Sequence, residues 1–137
     1  MTTGDKETYT ITELAREFGV TPRAIRFYED EGLLQPARSG RNRVYDRGDR
    51  TRLKLTLRGR RLGLSLADIR ELIQMYDSTR NSPPLLERFL QILAVRRAAM
   101  EERRQDIDAV LREIDTLEAR CLALLRDGPG DVLVETD

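Results

Sequence analysis

The sequence predicts a mainly α-helical protein, a small helical domain continued by one very long helix. Three observations lead there. Apolar residues recur at helical spacing in short capped blocks through the first half of the chain. An unbroken seven-residue apolar series then runs from Leu86 to Cys121. Finally, aromatics make up only 5% of the 137 residues while charged residues make up 35%, a balance that suits small helical cores and long solvated helices.

Residues 1–8 are polar and read as loose. The first periodic block follows: Ile11, Leu14, Ala15 and Phe18 fall at offsets of 0, 3, 4 and 7, one face of an amphipathic helix. Gly19 stops it, because glycine takes positive φ at little cost. Thr21 stands where an N-cap belongs and Pro22 at the first helical position, where its missing N–H is harmless. Ala24, Ile25 and Tyr28 give this second helix an inner face, Arg23 and Arg26 point outward, and Gly32 ends it. A short helix, a tight turn and a second helix with exposed arginines is the plan of a helix-turn-helix reader of DNA. Taken alone, two capped helices fit any helical domain. The next stretch narrows the choice. Arg38, Arg41, Arg43 and Arg47 lie in a loop with Ser39, Gly40 and Asn42, and Val44-Tyr45 gives it a β-prone end. Such a loop has the character of a wing that reaches the DNA backbone beside the recognition helix.

The blocks ITELAREFGVTPRAIRFYEDEGLL, RSGRNRVY and RLKLTLRGRRLGLSLADIRELI occur in that order at fitting separations. Together they resemble the MerR family of bacterial transcription regulators across roughly residues 9–77. IRFYEDEGLL, from Ile25 to Leu34, carries most of the likeness, since the family has IRYYE followed by GLL. Two departures stand out: Phe27 replaces the usual first tyrosine, removing a hydroxyl that could bond a phosphate, and Arg41-Asn42 replaces the usual Gly-Tyr before Arg43. The GRNRVY wording is most similar to the branch linked to leucine and branched-chain acid breakdown. The resemblance implies a winged helix-turn-helix domain over residues 9–77, a linker over 78–83, an antiparallel dimerisation helix over 84–126 and an acidic tail over 127–137. It also implies a homodimer on a pseudo-palindromic promoter operator in double-stranded DNA. Bending that DNA would let RNA polymerase engage.

Net charge is zero, which by itself argues against a nucleic-acid partner, but the charge is divided. Residues 1–63 hold 14 Lys/Arg against 9 Asp/Glu, a net of +5, and residues 64–137 hold 10 against 15, a net of −5. Between Pro36 and Arg61 ten basic residues face only Asp46 and Asp49. A basic region beside an acidic one is the distribution expected of a DNA binder. The chain has one cysteine and no histidine, so an internal disulfide, a Cys/His metal site and a histidine-based catalytic triad are all out of reach. No nucleophile, base or phosphate loop stands at a useful spacing, so an enzyme is not expected and no cofactor is implied. The N-terminus has no apolar signal core and no stretch approaches the roughly 20 apolar residues of a membrane span. A cytoplasmic protein with no membrane partner is the expectation.

After the wing, Asp46–Asp49 reads as a turn with Asp49 as N-cap of a helix over 50–62. That helix carries Leu53, Leu55, Leu57 and Leu62 among six basic residues. Arg50, Arg52, Lys54, Arg58, Arg60 and Arg61 cannot all face a core, so part of the set should follow the DNA backbone. Gly63 ends the helix, and Ser65, with Asp68 three residues on, caps the next, whose inner face is Leu66, Ile69, Leu72 and Ile73. Leu86, Leu93, Met100, Ile107, Ile114 and Cys121 then recur every seven residues, with Phe89, Arg96, Arg103, Val110, Leu117 and Leu124 as companions three later. Two arginines in the companion row interrupt the seam. At about 1.5 Å per residue the helix would extend on the order of 60 Å, too far to bury its stripe on one small domain. A second copy of the chain is the simplest cover.

The residues expected to touch DNA are Thr21, Arg23, Arg26, Phe27 and Tyr28 in the recognition helix and Arg38, Arg41, Asn42, Arg43 and Tyr45 in the wing. Arginine suits a guanine edge and a phosphate equally, so base and backbone contacts stay unassigned here. The rival reading is a coiled-coil adaptor whose winged domain binds protein. Cys121 sits on a heptad position, where a small buried thiol is the expected role. The resemblance to the leucine and branched-chain branch implies an organic effector, such as an acyl-thioester or related catabolite, rather than a metal.

Overall fold

A computed structural model describes residues 7–128; the readings made for residues 1–6 and for the tail beyond Gly128 lie outside the described residues. The elements run β1 (Thr8–Tyr9), α1 (Ile11–Phe18), α2 (Pro22–Asp30), β2 (Ala37–Ser39), β3 (Asn42–Asp46), α3 (Arg47–Leu62), α4 (Leu66–Ser78) and α5 (Pro83–Asp127). The chain divides into two compact units, one ending at Leu93 and one starting at Ala94.

In the first unit, the expected helix-turn-helix is present with its caps. Thr10 accepts the Glu13 N–H at 3.1 Å while Glu13 accepts the Thr10 N–H at 2.8 Å, a reciprocal capping box at the start of α1. Gly19 closes α1 at a φ of 67°, the left-handed conformation that ends the helix. The Thr21 hydroxyl accepts the Ala24 N–H at 3.0 Å, so α2 begins where Thr-Pro placed it. β2 and β3 form an antiparallel hairpin with Ser39 opposite Asn42, leaving Gly40-Arg41 as its two-residue loop. Gly40 has a φ of 64°, as a tight hairpin led by glycine requires. β1 adds to the other edge of β3, pairing Thr8 with Asp46 and Tyr9 with Tyr45. The sequence missed this strand: a two-residue pairing segment is too short to show alternation.

The start of α3 also departs from expectation. Asp46, not Asp49, is the N-cap, and Asp49 is the third helical residue. Asp46 accepts the Asp49 N–H at 2.7 Å and Asp49 returns a bond to the Asp46 N–H at 3.2 Å. The other Asp49 oxygen accepts the Gln35 N–H at 3.0 Å and an Arg52 N–H at 2.9 Å. Asp49 is 1% exposed, and a carboxylate buried that deeply needs this many donors.

Two apolar clusters hold the unit together. Leu14, Ala15, Ile25, Leu34, Tyr45 and Leu53 join α1, α2, β3 and α3. Leu33, Leu64, Ile69, Ile73 and Ile92 join the loop after α2 to α4 and the first turns of α5. Tyr28 packs against both. Burying each large aliphatic side chain contributes about 1.5–3 kcal/mol. Here the structure corrects the expected seam. α5 does not begin as a free helix: Leu85 and Ile92, each one position before a residue of the predicted series, are buried, and Ile92 and the companion residue Phe89 pack in the second cluster. A groove of about 230 Å³ lies beside that cluster, lined by residues including Leu55, Leu62, Leu72, Tyr76, Leu86 and Phe89, with Arg58 among them.

In the second unit, α5 continues without a break to Asp127. Met100, Ile107, Val110, Leu111 and Ile114 are each 44–57% exposed, a long run of large apolar side chains on an otherwise charged helix. No described helix is long and apolar enough to cross a membrane.

Candidate nucleic-acid interface

The exposed face of α2 carries Arg23, Arg26 and Phe27. Ile25 is fully buried on the opposite face, and its packing fixes which way the arginines point. No ion pair among the described residues engages Arg23, Arg26 or Arg41, which leaves these guanidinium groups available to phosphate or base edges. Phe27 is 46% exposed and meets Tyr28 edge to face at a centroid distance of 5.7 Å. Its exposed ring offers the apolar contact that suits a thymine methyl. Tyr28, expected as a contact, spends its ring on the two cores. The Thr21 oxygen caps the helix but keeps its O–H free to donate.

The wing sits beside this helix through a carboxylate. Glu29, near the end of α2, accepts the Arg43 Nε–H at 2.6 Å and lies 3.8 Å from an Arg38 amino nitrogen. Its side chain is 16% exposed, Arg43 23% and Arg38 57%. Arg41 and Asn42 at the tip are exposed, as is Arg38.

Tyr45 is a correction. It was expected to grip DNA, but it is fully buried in the first core, with a hydroxyl that finds no hydrogen-bond partner. Its alternation explains this: along β3 the side chains change face at every residue, and position 45 points inward. Burial, reinforced by the negative Glu29, pushes its pKa up to about 12.

The basic face of α3 is narrower than its composition suggests. Arg50 pairs with Glu17 through two of its nitrogens and lies over the rings of Tyr9 and Phe18, at 5.9 and 5.7 Å. Arg52 reaches Asp49 at 2.9 Å, Asp77 at 3.3 Å and Asp46 at 3.7 Å. Burial disfavours its charge, and hydrogen bonds and attraction from Asp49 and Asp77 more than offset that, holding its pKa above the ordinary value. Both arginines therefore brace the domain, while Lys54, Arg58, Arg60 and Arg61 remain exposed. Among the acidic partners, Asp49 was read from the sequence as a helix cap, whereas Glu17, Glu29 and Asp77 were not singled out. Each of these three lies 14 or more residues from the arginine it holds across the fold, so no local pattern could show it.

The profile of the MerR HTH family regulatory proteins matches residues 9–76, and the profile described as MerR, DNA binding matches residues 50–117. The HTH-type transcriptional regulator CueR of Salmonella typhimurium is 30% identical over 124 residues, covering 88% of this chain and 82% of that protein. Among solved structures, a MerR-family transcriptional regulator from Bacillus cereus superposes with a TM-score of 0.67 at 26% identity, covering 91% of this chain and 88% of that one. The transcription regulator PbrR691 from Ralstonia metallidurans, in complex with lead(II), gives 0.65 at 28% identity over 81% of this chain and 86% of its own.

Proposed function

The chain belongs to the MerR family of DNA-binding transcription regulators, and from that premise we propose that it acts in the cytoplasm as a homodimer on a pseudo-palindromic operator. One observation carries the reading of the site. The exposed arginines of α2 and the arginine-bearing hairpin β2–β3 lie on one reading head, joined through Glu29. Arg23 and Arg26, with Phe27, enter the major groove; Arg38, Arg41 and Asn42 hold the flanking backbone or minor groove. Thr21 is close enough to the helix start to donate to a phosphate. An adaptor whose winged domain binds protein is the weaker reading, because the profile that covers α2 and the wing, over residues 9–76, is that of the MerR HTH regulatory proteins.

The homodimer rests on the exposed apolar run of α5. Met100, Ile107 and Ile114 keep the seven-residue spacing, and a monomer would leave them in water. An antiparallel pairing of α5 with its copy sets two reading heads at a fixed separation. A dimer that fits only bent or untwisted DNA turns its own geometry into a deformation energy, and this is how it would control RNA polymerase. The effector in this reading is organic. With one cysteine and no histidine, the chain has few of the thiolate and imidazole ligands that a soft-metal site uses. The apolar groove near the α4–α5 junction, with Arg58 at hand for an anionic group, suits an acyl compound.

The test uses a duplex selected by the chain itself from a random-sequence pool. Binding should favour that duplex over a scrambled one and weaken steeply with salt. Equal affinity for both duplexes would contradict the reading. Titration with lead(II), zinc(II) or copper(I) that releases the duplex at submicromolar metal would contradict the organic effector.

A further inference from the structure

We infer that Glu29 is a positioning residue for DNA reading, a carboxylate that fixes the wing to the recognition helix, and that Arg43 serves this clamp rather than a phosphate. The inference rests on the DNA-binding role of α2 and the wing. Four observations carry it. Arg38 and Arg43 are direct cross-strand partners in the β2–β3 hairpin, so two like charges stand opposite each other. Left alone, that pair would push the strands apart. Glu29 lies against both guanidinium groups, 2.6 Å from Arg43 and 3.8 Å from Arg38, and offsets their repulsion. Arg43 is only 23% exposed and donates its Nε–H to a carboxylate that is itself 16% exposed, whereas Arg38 is 57% exposed. A guanidinium held that closely is spent on its partner. Finally, β2 is a three-residue edge strand, and so short a hairpin is not rigid on its own. Its link to α2 through Glu29 supplies the rigidity.

The roles then divide. Arg41 and Arg38 reach phosphate, while Arg43 and Glu29 set the wing's angle to α2. The geometry makes an unusual demand on sign. Glu29 is an anion on a surface that meets a polyanion. Removing its charge should by simple electrostatics strengthen DNA binding. The clamp requires the opposite.

The experiment measures affinity of the full chain for the self-selected duplex against salt concentration, for the wild type and for Glu29→Gln, Arg43→Gln, Arg43→Lys, Arg41→Gln and the Glu29→Gln/Arg43→Gln double variant. Glu29→Gln should weaken binding by roughly tenfold, with the double variant no weaker than the worse single variant. Arg43→Gln should lose affinity at an unchanged salt slope, while Arg41→Gln should lower the slope by about 1.8, the loss of one phosphate contact from each of the two chains on the duplex. Arg43→Lys keeps a point charge but loses the planar Nε–H fork, so it should fall with Arg43→Gln; a phosphate contact would survive this change. Comparison with Arg43→Lys guards against a misfolded glutamine variant, whose thermal melt would also show the damage. Tighter binding by Glu29→Gln, or a slope cut by Arg43→Gln and restored by Arg43→Lys, would overturn the clamp. If the wild type does not prefer the selected duplex at all, the DNA-reading role fails instead, and the two failures are told apart by that control.

Discussion

Tyr45 shows how one side chain can be assigned to the wrong face when only its neighbours are known. In the sequence it closes an arginine-rich loop; in the fold it is the largest fully buried side chain of the domain. Its hydroxyl is buried without a partner, an arrangement that costs free energy rather than adding to it. Tyr45→Phe should therefore leave the melting temperature unchanged or higher and leave DNA affinity intact. The pH dependence has a definite sign. The folded-state pKa is raised from 10 to about 12, so the neutral form is favoured in the fold. That contribution is fully present below pH 10 and is lost as pH rises from 10 towards 12. Wild type should lose stability relative to Tyr45→Phe across that window, measured by denaturant melts at successive pH values. A wild type that keeps pace with the variant through pH 12 would contradict the buried phenol. Arg26 is the contrasting case, since its outward position was legible from the spacing of Ala24, Ile25 and Tyr28. Arg26→Ala should cost about 1–3 kcal/mol on the selected duplex and less on random DNA. Equal losses on both, in parallel titrations, would make Arg26 a phosphate contact.

Elements whose signals are local were readable, and those built from distant pairs were not. The caps Thr21 and Ser65 act through N–H groups three residues away, so their consequences are written in adjacent letters. Asp46 and Asp49 show the limit: both can cap, and only the Gln35 and Arg52 donors explain why Asp49 goes inside. β1 escaped notice because its partners lie in β3, some 37 residues on, and it is two residues long. Gly59 is another element-level feature. A Cβ there would lie 2.7 Å from Cγ1 and 2.9 Å from Cδ1 of Ile69, so the glycine sets how closely α3 approaches α4. Gly59→Ala gains helix propensity but forces the helices apart. A net destabilisation of about 1–3 kcal/mol is expected from overpacking. A melt at or above the wild-type temperature would show that α4 yields freely. In the candidate site, the exposed arginines were legible from helix and hairpin patterns, whereas Glu29, Glu17 and Asp77, which hold Arg43, Arg50 and Arg52 from a distance, became visible only in the fold.

For the whole molecule, α5 is where sequence and structure divide the work differently. The seven-residue series predicted a helix that needs cover, and beyond Leu93 the exposed side chains agree with that need. Before it, Phe89 and Ile92 belong to the domain's own second core and Leu85 is also buried, so cutting the chain at Ser82 would remove core residues along with the seam. Substitution is the cleaner probe of the seam. In an antiparallel pair the two copies of Cys121 lie far apart, and mild oxidation should yield no disulfide-linked dimer even though the thiol is exposed in the single chain. Efficient cross-linking through Cys121 would contradict the antiparallel arrangement. The claim on which everything else depends is that two copies, joined through α5, present two reading heads to one operator. Sedimentation of the selected duplex with wild type and with Ile107→Glu/Ile114→Glu tests it most directly. Two wild-type chains per duplex are expected, and a double variant that sediments as a folded monomer and loses preference for the selected duplex. A variant that still binds as two chains with wild-type affinity would contradict it.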